Sequence, residues 1–291
     1  MWKVSLLVSP ETEEPIAEVL REIFGQAATV YVDADSGKVV TEVFVPTRPA
    51  ESLLTLLDQR IANLREWGLR VGGGRVTLKR LRYHDWAEAW KGHFKPIEIG
   101  KRLLIRPSWS KRRARPGQRV VVLDPGLGFG TGQHATTRFC LEQIVANRRA
   151  DIAQSFLDLG AGSGILAIAA AKLGYAPVRA LDNDSDAVRI ARQNARRNRV
   201  ERRVRIECLE LAQAPPPKEG YNLVCANLMA NLLIEKKQRI ASQVKRGGFL
   251  TLAGILEREF TKVASAYREC GFEVIDSVRE SGWRSGLFGS G

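Results

Sequence analysis

At 291 residues with 44% hydrophobic content, the chain is long enough for one full-sized domain and a small one, each with its own core. No run of about 18 uncharged apolar residues occurs, and the opening MWKVSLLVSPETEEP turns acidic before a signal-peptide core could form, which argues against a membrane helix and for a cytoplasmic protein. The net charge of +13, gathered in KRRARPGQR (Lys111 to Arg119) and RIARQNARRNRVERRVR (Arg189 to Arg205), suits an acidic partner such as RNA, or serves only as a solvated face.

From the start, the pattern predicts a strand (Trp2 to Val8), a helix (Glu11 to Phe24) and strands at Ala28 to Val32 and Val39 to Val45. A helix (Glu51 to Trp67) and a strand (Arg75 to Leu81) follow. The order βαββαβ suggests a ferredoxin-like domain over residues 1–82. It carries no catalytic spacing and reads as a substrate-docking module. In YHDWAEAWKGHF, Trp86 and Trp90 lie four apart on one helical face, so residues 83–95 read as a bridging helix. His84 and His93 flank it without a carboxylate or cysteine pattern and read as structural, and no metal site is expected.

From residue 96 to 291, strands alternate with helices, which implies parallel pairing through crossovers. Strands are predicted at Phe156 to Leu159, Val178 to Leu181, Val204 to Glu207, Leu223 to Ala226, Gly248 to Leu252 and Glu273 to Val278. The set fits an α/β, doubly wound sheet whose ligand sits outside the carboxyl ends of the strands. Cys140, Cys208, Cys225 and Cys270 lack CxxC spacing and read as reduced core thiols, Cys208 and Cys225 on or beside predicted buried strands.

In FLDLGAGSGILAIAAAKLG, Gly160, Gly162 and Gly164 form G-x-G-x-G, and Ile165 stands where a dinucleotide fingerprint would place its last glycine. Asp158 ends the strand before them with a carboxylate, which repels a pyrophosphate and suits a cationic ligand. In RALDNDSDAV, Asp182 ends the next strand, where a carboxylate accepts hydrogen bonds from both hydroxyls of a ribose. Ser185 is the expected cap of the helix that follows. A ribose and a cation without phosphate describe S-adenosylmethionine better than NAD. DPGLGFGTGQHATT (Asp124 to Thr137) combines glycines, Phe129 and threonines ahead of a helix, so its backbone can approach a ligand closely. NLVCANLMANLL ends an apolar strand at Asn227, whose carbonyl can accept from an amine. His134 is a candidate base, with a structural hydrogen bond as the favoured role.

These segments, with DWAEAWK, ALDNDSDAVRIARQNARRN and GGFLTLAGIL, resemble the PrmA family, the methyltransferases of large-subunit ribosomal protein eleven. The resemblance covers residues 85 to about 256, FGTGQHATT and ANL being its specific parts. It implies a seven-stranded class I methyltransferase (Rossmann-like) sheet, S-adenosylmethionine as cofactor, and methylation of the N-terminal amine and lysines of that ribosomal protein. It also implies that Thr131 and Gly132, with Phe129 in the same segment, approach the methionine part of the cofactor. By the same carry-over Gly160 and Gly162 line its path, Asp182 holds the ribose, Glu210 lies near the adenine and Asn227 meets the reacting amine. A monomer is expected, with transient rRNA contact through the basic surface. Other readings are a lysine methyltransferase of another protein, an RNA base methyltransferase, and a ribosome-binding module without chemistry. The second is disfavoured because ANLMAN replaces the aromatic stretch that would stack a flipped base.

Overall fold

The computed structural model describes residues 2–26, 28–32, 39–73, 75–80, 95–124, 134–215 and 218–290. The chain divides into two compact units, one made of the residues up to Lys95 and the other beginning at Pro96. The predicted bridging helix with Trp86, Trp90, His84 and His93 falls outside the described residues.

In the first unit, strands β1 (Trp2–Val8), β2 (Ala28–Val32), β3 (Val39–Val45) and β4 (Val76–Arg80) form an antiparallel sheet in the order β2-β3-β1-β4. Helices α1 (Glu13–Phe24) and α2 (Glu51–Glu66) connect them. On β1, Val4, Leu6 and Val8 share one face by the two-residue period of a strand and are buried. They pack with Ile16 and Leu20 of α1 and Leu57 and Ile61 of α2, each one helical turn apart. The expected start of α1 at Glu11 is instead a 3-10 turn, Pro10–Thr12, held by the Thr12 N–H donating to Ser9 O at 3.0 Å.

The second unit opens with a small sheet of β5 (Ile97–Ile99), β6 (Leu103–Arg106) and β7 (Arg119–Val122). Helix α3 (Ala135–Ala146) follows. The main sheet comprises β8 (Phe156–Leu159), β9 (Val178–Asp182), β10 (Val204–Cys208), β11 (Tyr221–Asn227), β12 (Val244–Ala253), β13 (Phe272–Glu280) and β14 (Trp283–Ser290). Its order is β10-β9-β8-β11-β12-β14-β13. The strands from β10 to β12 are parallel, and β14 is antiparallel to both β12 and β13. Helices α4 (Ile165–Leu173), α5 (Ser185–Arg197), α6 (Ala230–Glu235), α7 (Lys237–Ala241) and α8 (Phe260–Arg268) complete the unit. Strand order reverses at β8, where β9 leads one way and β11 the other, which is where an open sheet of this kind holds its ligand.

Two cores flank the sheet, and β8 shows how they are separated. Phe156 belongs to the core that α4 and α5 cover, whereas Leu157 and Leu159 belong to the core of α6 and α8. The same alternation turns Asp158 toward α4. Four alanines of α4, Ala167, Ala169, Ala170 and Ala171, are fully buried, so the helix backbone seats closely on the sheet. Phe156, also fully buried, packs on Tyr175 with ring centroids 5.7 Å apart. Truncation of such a phenylalanine to alanine costs roughly 3–5 kcal/mol.

The thiols divide differently from expectation. Cys140 and Cys225 are buried, but Cys208 is exposed and Cys270 only half-buried. Cys208 is the last residue of β10, which among the described residues is an edge strand paired with β9 alone. Among the described residues, no helix is long and apolar enough to cross a membrane.

Candidate active site

Sheet register brings the predicted site residues of three strands to one level. Leu159, the end of β8, pairs with Leu181 on one side and Ala226 on the other. The next residues along, Gly160, Asp182 and Asn227, therefore stand side by side at the carboxyl edge. Asn227 pairs in turn with Ala253, which places Gly254 beside it.

The glycine loop closes on β9 through its own backbone. The N–H groups of Gly160 and Ala161 donate to Leu181 O at 2.9 and 3.0 Å, and the Gly162 N–H donates to Asp182 Oδ2 at 2.8 Å. Gly160 has φ +76°, and a Cβ there would stand 2.5 Å from Leu228 Cδ2. Only glycine meets both conditions. At Gly254 a Cβ would stand 2.7 Å from Leu228 O and 3.1 Å from Asn227 Oδ1, so the strand end at Asn227–Leu228 is packed against glycine on both sides.

Asp182 is half-buried and accepts from two backbone donors, Gly162 N–H on Oδ2 and Asp184 N–H on Oδ1 at 3.0 Å. It is not the helix cap. That role falls to Asp184, whose side chain accepts from the Asp186 N–H at 2.8 Å, one residue before the expected Ser185. With the cap filled by a neighbour, Asp182 keeps acceptor capacity for a ligand on its remaining lone pairs.

Asp158, which the sequence suggests as a strand-end carboxylate suited to a cationic ligand, lies within β8. It is 1% exposed, and Oδ2 accepts from the Ala167 N–H at 3.2 Å, one of the first-turn donors of α4 that no intrahelical carbonyl can satisfy. Burial, against which the Ala167 N–H acts, pushes its pKa well above the ordinary aspartate value, with the nearby Asp182 charge pushing the same way. Among the described residues Oδ1 has no hydrogen-bond partner.

The Asn227 side chain sits where β11 ends. Its Nδ2 donates to Thr137 Oγ1 at 3.5 Å, and its buried Oδ1 meets no donor among the described residues. Thr137 belongs to the first turn of α3 and is 1% exposed. Sequence reasoning gave it no separate role, although it lies in the GTGQHATT segment. Just before it, His134 caps α3: Nδ1 lies 2.7 Å from Thr136 Oγ1, and the ring meets Trp283 edge-on at 5.2 Å. The structural role expected of His134 is the one the geometry supplies.

Glu210 lies two residues past Cys208, the partner of Asp182, and is exposed at the start of the 3-10 turn Leu211–Gln213. Phe129, Thr131 and Gly132 fall outside the described residues. No group of three or more metal-ligating side chains occurs among the described residues.

A family model, "Ribosomal protein L11 methyltransferase (PrmA)", matches residues 1–288. The chain belongs to this family. It is similar to the ribosomal protein L11 methyltransferase of Trichlorobacter lovleyi, 35% identical over 97% of this chain and 96% of that protein. It is likewise similar to that of Geobacter metallireducens, 36% identical over 87% and 82%. Among solved structures, the ribosomal protein L11 methylase of Lactobacillus delbrueckii subsp. bulgaricus superposes with a TM-score of 0.61 and 28% identity. That match covers 68% of this chain and 99% of the other. Membership in the PrmA family spans both units, so the N-terminal sheet belongs to the same family pattern as the glycine loop.

Proposed function

We propose that the chain is an S-adenosylmethionine-dependent protein methyltransferase that methylates amines of ribosomal protein L11, lysine side chains, the N-terminal amine, or both. The observation that carries this reading is the Oδ1 of Asn227, which has no hydrogen-bond partner among the described residues and stands level with Gly160 and Asp182 at the carboxyl edge of the sheet. A buried carbonyl without a donor costs roughly 1–3 kcal/mol. An N–H of an incoming amine relieves that cost, which orients the amine by one hydrogen bond and leaves its lone pair directed away from the amide.

S-adenosylmethionine supplies a methyl group on a positively charged sulfur, open to in-line attack. The residues present suit it. Asp182 offers acceptor capacity for ribose hydroxyls, the Gly160–Gly162 turn permits close approach, and Asp158 lies beneath the turn as a carboxyl whose ionised form a nearby cation would favour. Phe129, Thr131 and Gly132 would contact the methionine part, and Glu210 the adenine. A lysine in water, with a pKa near 10.4, is neutral only about one part in 10^3.4 at pH 7, so roughly 4–5 kcal/mol is needed to expose its lone pair. Exclusion of water and a neighbouring cation both lower that amine's pKa. The chain's contribution is therefore positioning and a dry, amide-lined site.

The strand order β10-β9-β8-β11-β12-β14-β13, with one antiparallel strand, supports a seven-stranded class I methyltransferase (Rossmann-like) domain over residues 96–291. The order β2-β3-β1-β4 with two helices supports a ferredoxin-like domain over residues 1–82. In this reading that domain recognises the ribosomal protein, residues 83–95 bridge the two, and the protein acts as a cytoplasmic monomer.

Incubation with methyl-labelled cofactor and dissociated ribosomal proteins, followed by mass identification of the labelled species, tests the assignment. Label on protein L11 is the expected result. Label elsewhere, or label lost on ribonuclease treatment, overturns it.

A further inference from the structure

Of the twelve arginines in the two basic stretches, five have acidic partners among the described residues. Arg112 and Arg115 pair with Glu98, Arg189 with Asp186, Arg197 with Asp124 and Arg205 with Glu207. Three of the others and a lysine gather in one place. Arg119, Lys172, Arg199 and Arg203 come from three separate chain segments, line one cavity of about 430 Å³, and have no acidic partner among the described residues. Glu201, on the same turn as Arg199, is exposed and does not line the cavity.

The placement is not explained by helix dipoles alone. Lys172 lies in the last turn of α4 and Arg199 follows α5, where cations do complement a helix C-terminus. Arg119, however, opens β7 and Arg203 precedes β10. Burial, with the charges of Arg199, Arg203 and Arg119, pushes the Lys172 ammonium below the ordinary lysine value, so the cluster is repulsive as it stands. The cavity wall also includes Gln118, 8% exposed, whose Oε1 accepts from the Arg115 N–H at 2.9 Å. Donors of one sign around a void describe an anion site.

We propose that this cavity binds phosphate groups of an RNA backbone. Three of its four cations are exposed, and Arg196 and Arg202, on the same stretch and also exposed, lack an acidic partner among the described residues. Cations spread along a surface suit a linear polyanion that contributes successive phosphates. The site is remote from the glycine loop, because Lys172 stands about 12 Å along α4 from Gly164 at the usual rise per residue. RNA bound here leaves the carboxyl edge of the sheet open. The inference concerns binding only and does not depend on which amine is methylated.

Fluorescence anisotropy of the full chain with a labelled single-stranded RNA 16-mer tests it, with inorganic pyrophosphate as a second probe. At about 0.1 M salt, removal of each phosphate-binding cation should weaken RNA binding about fivefold and reduce the slope of log K against log salt by about 0.7. The double variant Arg199→Gln, Arg203→Gln should therefore bind about 25-fold more weakly, and Lys172→Gln about fivefold. Lys262→Gln, which removes one positive charge on α8, should bind as the wild type does. Thermal melting of each variant establishes that it is folded, and removal of like charges should not lower the midpoint. Unchanged RNA affinity in the folded double variant overturns the site. Competent binding of pyrophosphate without binding of the RNA overturns the RNA assignment.

Discussion

Asp182 and Gly162, twenty residues apart, are joined by a 2.8 Å hydrogen bond from the glycine's N–H to the carboxylate. One side chain thus fixes the loop that would carry a cofactor and offers the acceptor that would hold the ribose. Asp182→Ala should weaken S-adenosylmethionine binding by roughly tenfold or more, since hydrogen bonds to a charged group contribute roughly 1.5–3 kcal/mol. Turnover at saturating cofactor should change far less. Isothermal calorimetry decides it: wild-type affinity in the variant removes the ribose role.

Asn227→Ala should have the opposite signature. Loss of a preorganised acceptor at the reacting centre typically costs on the order of 10²-fold in turnover. Cofactor affinity should remain near that of the wild type. Single-turnover methylation of protein L11 measures the first quantity and calorimetry the second.

Burial raises the Asp158 pKa above its unfolded value, so the folded protein holds a proton that the unfolded chain releases. Stability on this account falls as pH rises above the unfolded aspartate value. Asp158→Asn removes the ionisation. Without cofactor, the variant's melting temperature should gain on the wild type between pH 5 and pH 8, as followed by calorimetric scans. Equal pH dependence in the two proteins would show that Asp158 keeps its charge at no cost.

Gly160→Ala should destabilise the second unit, because the new methyl meets Leu228 Cδ2 and the backbone φ of +76° is unfavourable for alanine by roughly 1–2 kcal/mol. Leu228→Ala in the same chain should restore only the steric part. A urea double-mutant cycle should therefore give a favourable coupling between the two substitutions. Strict additivity would mean the loop relaxes away from Leu228.

His134 offers a comparison of two substitutions. Asparagine is a good N-cap and alanine a poor one, the difference being about 1 kcal/mol. His134→Asn should keep both the stability and the pH-rate profile of the wild type, whereas His134→Ala should lose stability. A profile that flattens in His134→Asn would make the imidazole a base rather than a cap.

Much of this architecture is readable from local pattern. The apolar run FLDL, the glycines after it, and Asp182 at the end of the next strand all lie where periodicity and turn chemistry put them, because the buried parallel strands leave little choice of residue. The departures have identifiable causes. Strand β14 escapes propensity because Gly286 and Gly289 interrupt it, and its pairing with β12 and β13 outweighs their cost. Asp184 displaces Ser185 as cap because the carboxylate before it already holds the Asp184 N–H and fixes that residue's extended backbone. The charge state of Asp158 is a burial effect. Strand alternation fixes the face it occupies, but the single helix N–H that meets it follows from how α4 seats on the sheet.

The interior position of β14 orders events during synthesis. Residues 272–280 leave the ribosome before residues 283–290, yet they touch the rest of the sheet only through them. Until that later segment emerges, the earlier one has no strand of the sheet to pair with among the described residues, and Phe288 leaves a gap beside Phe260 and Tyr267. A nascent chain stalled between the two should accordingly expose an apolar edge that the released protein conceals.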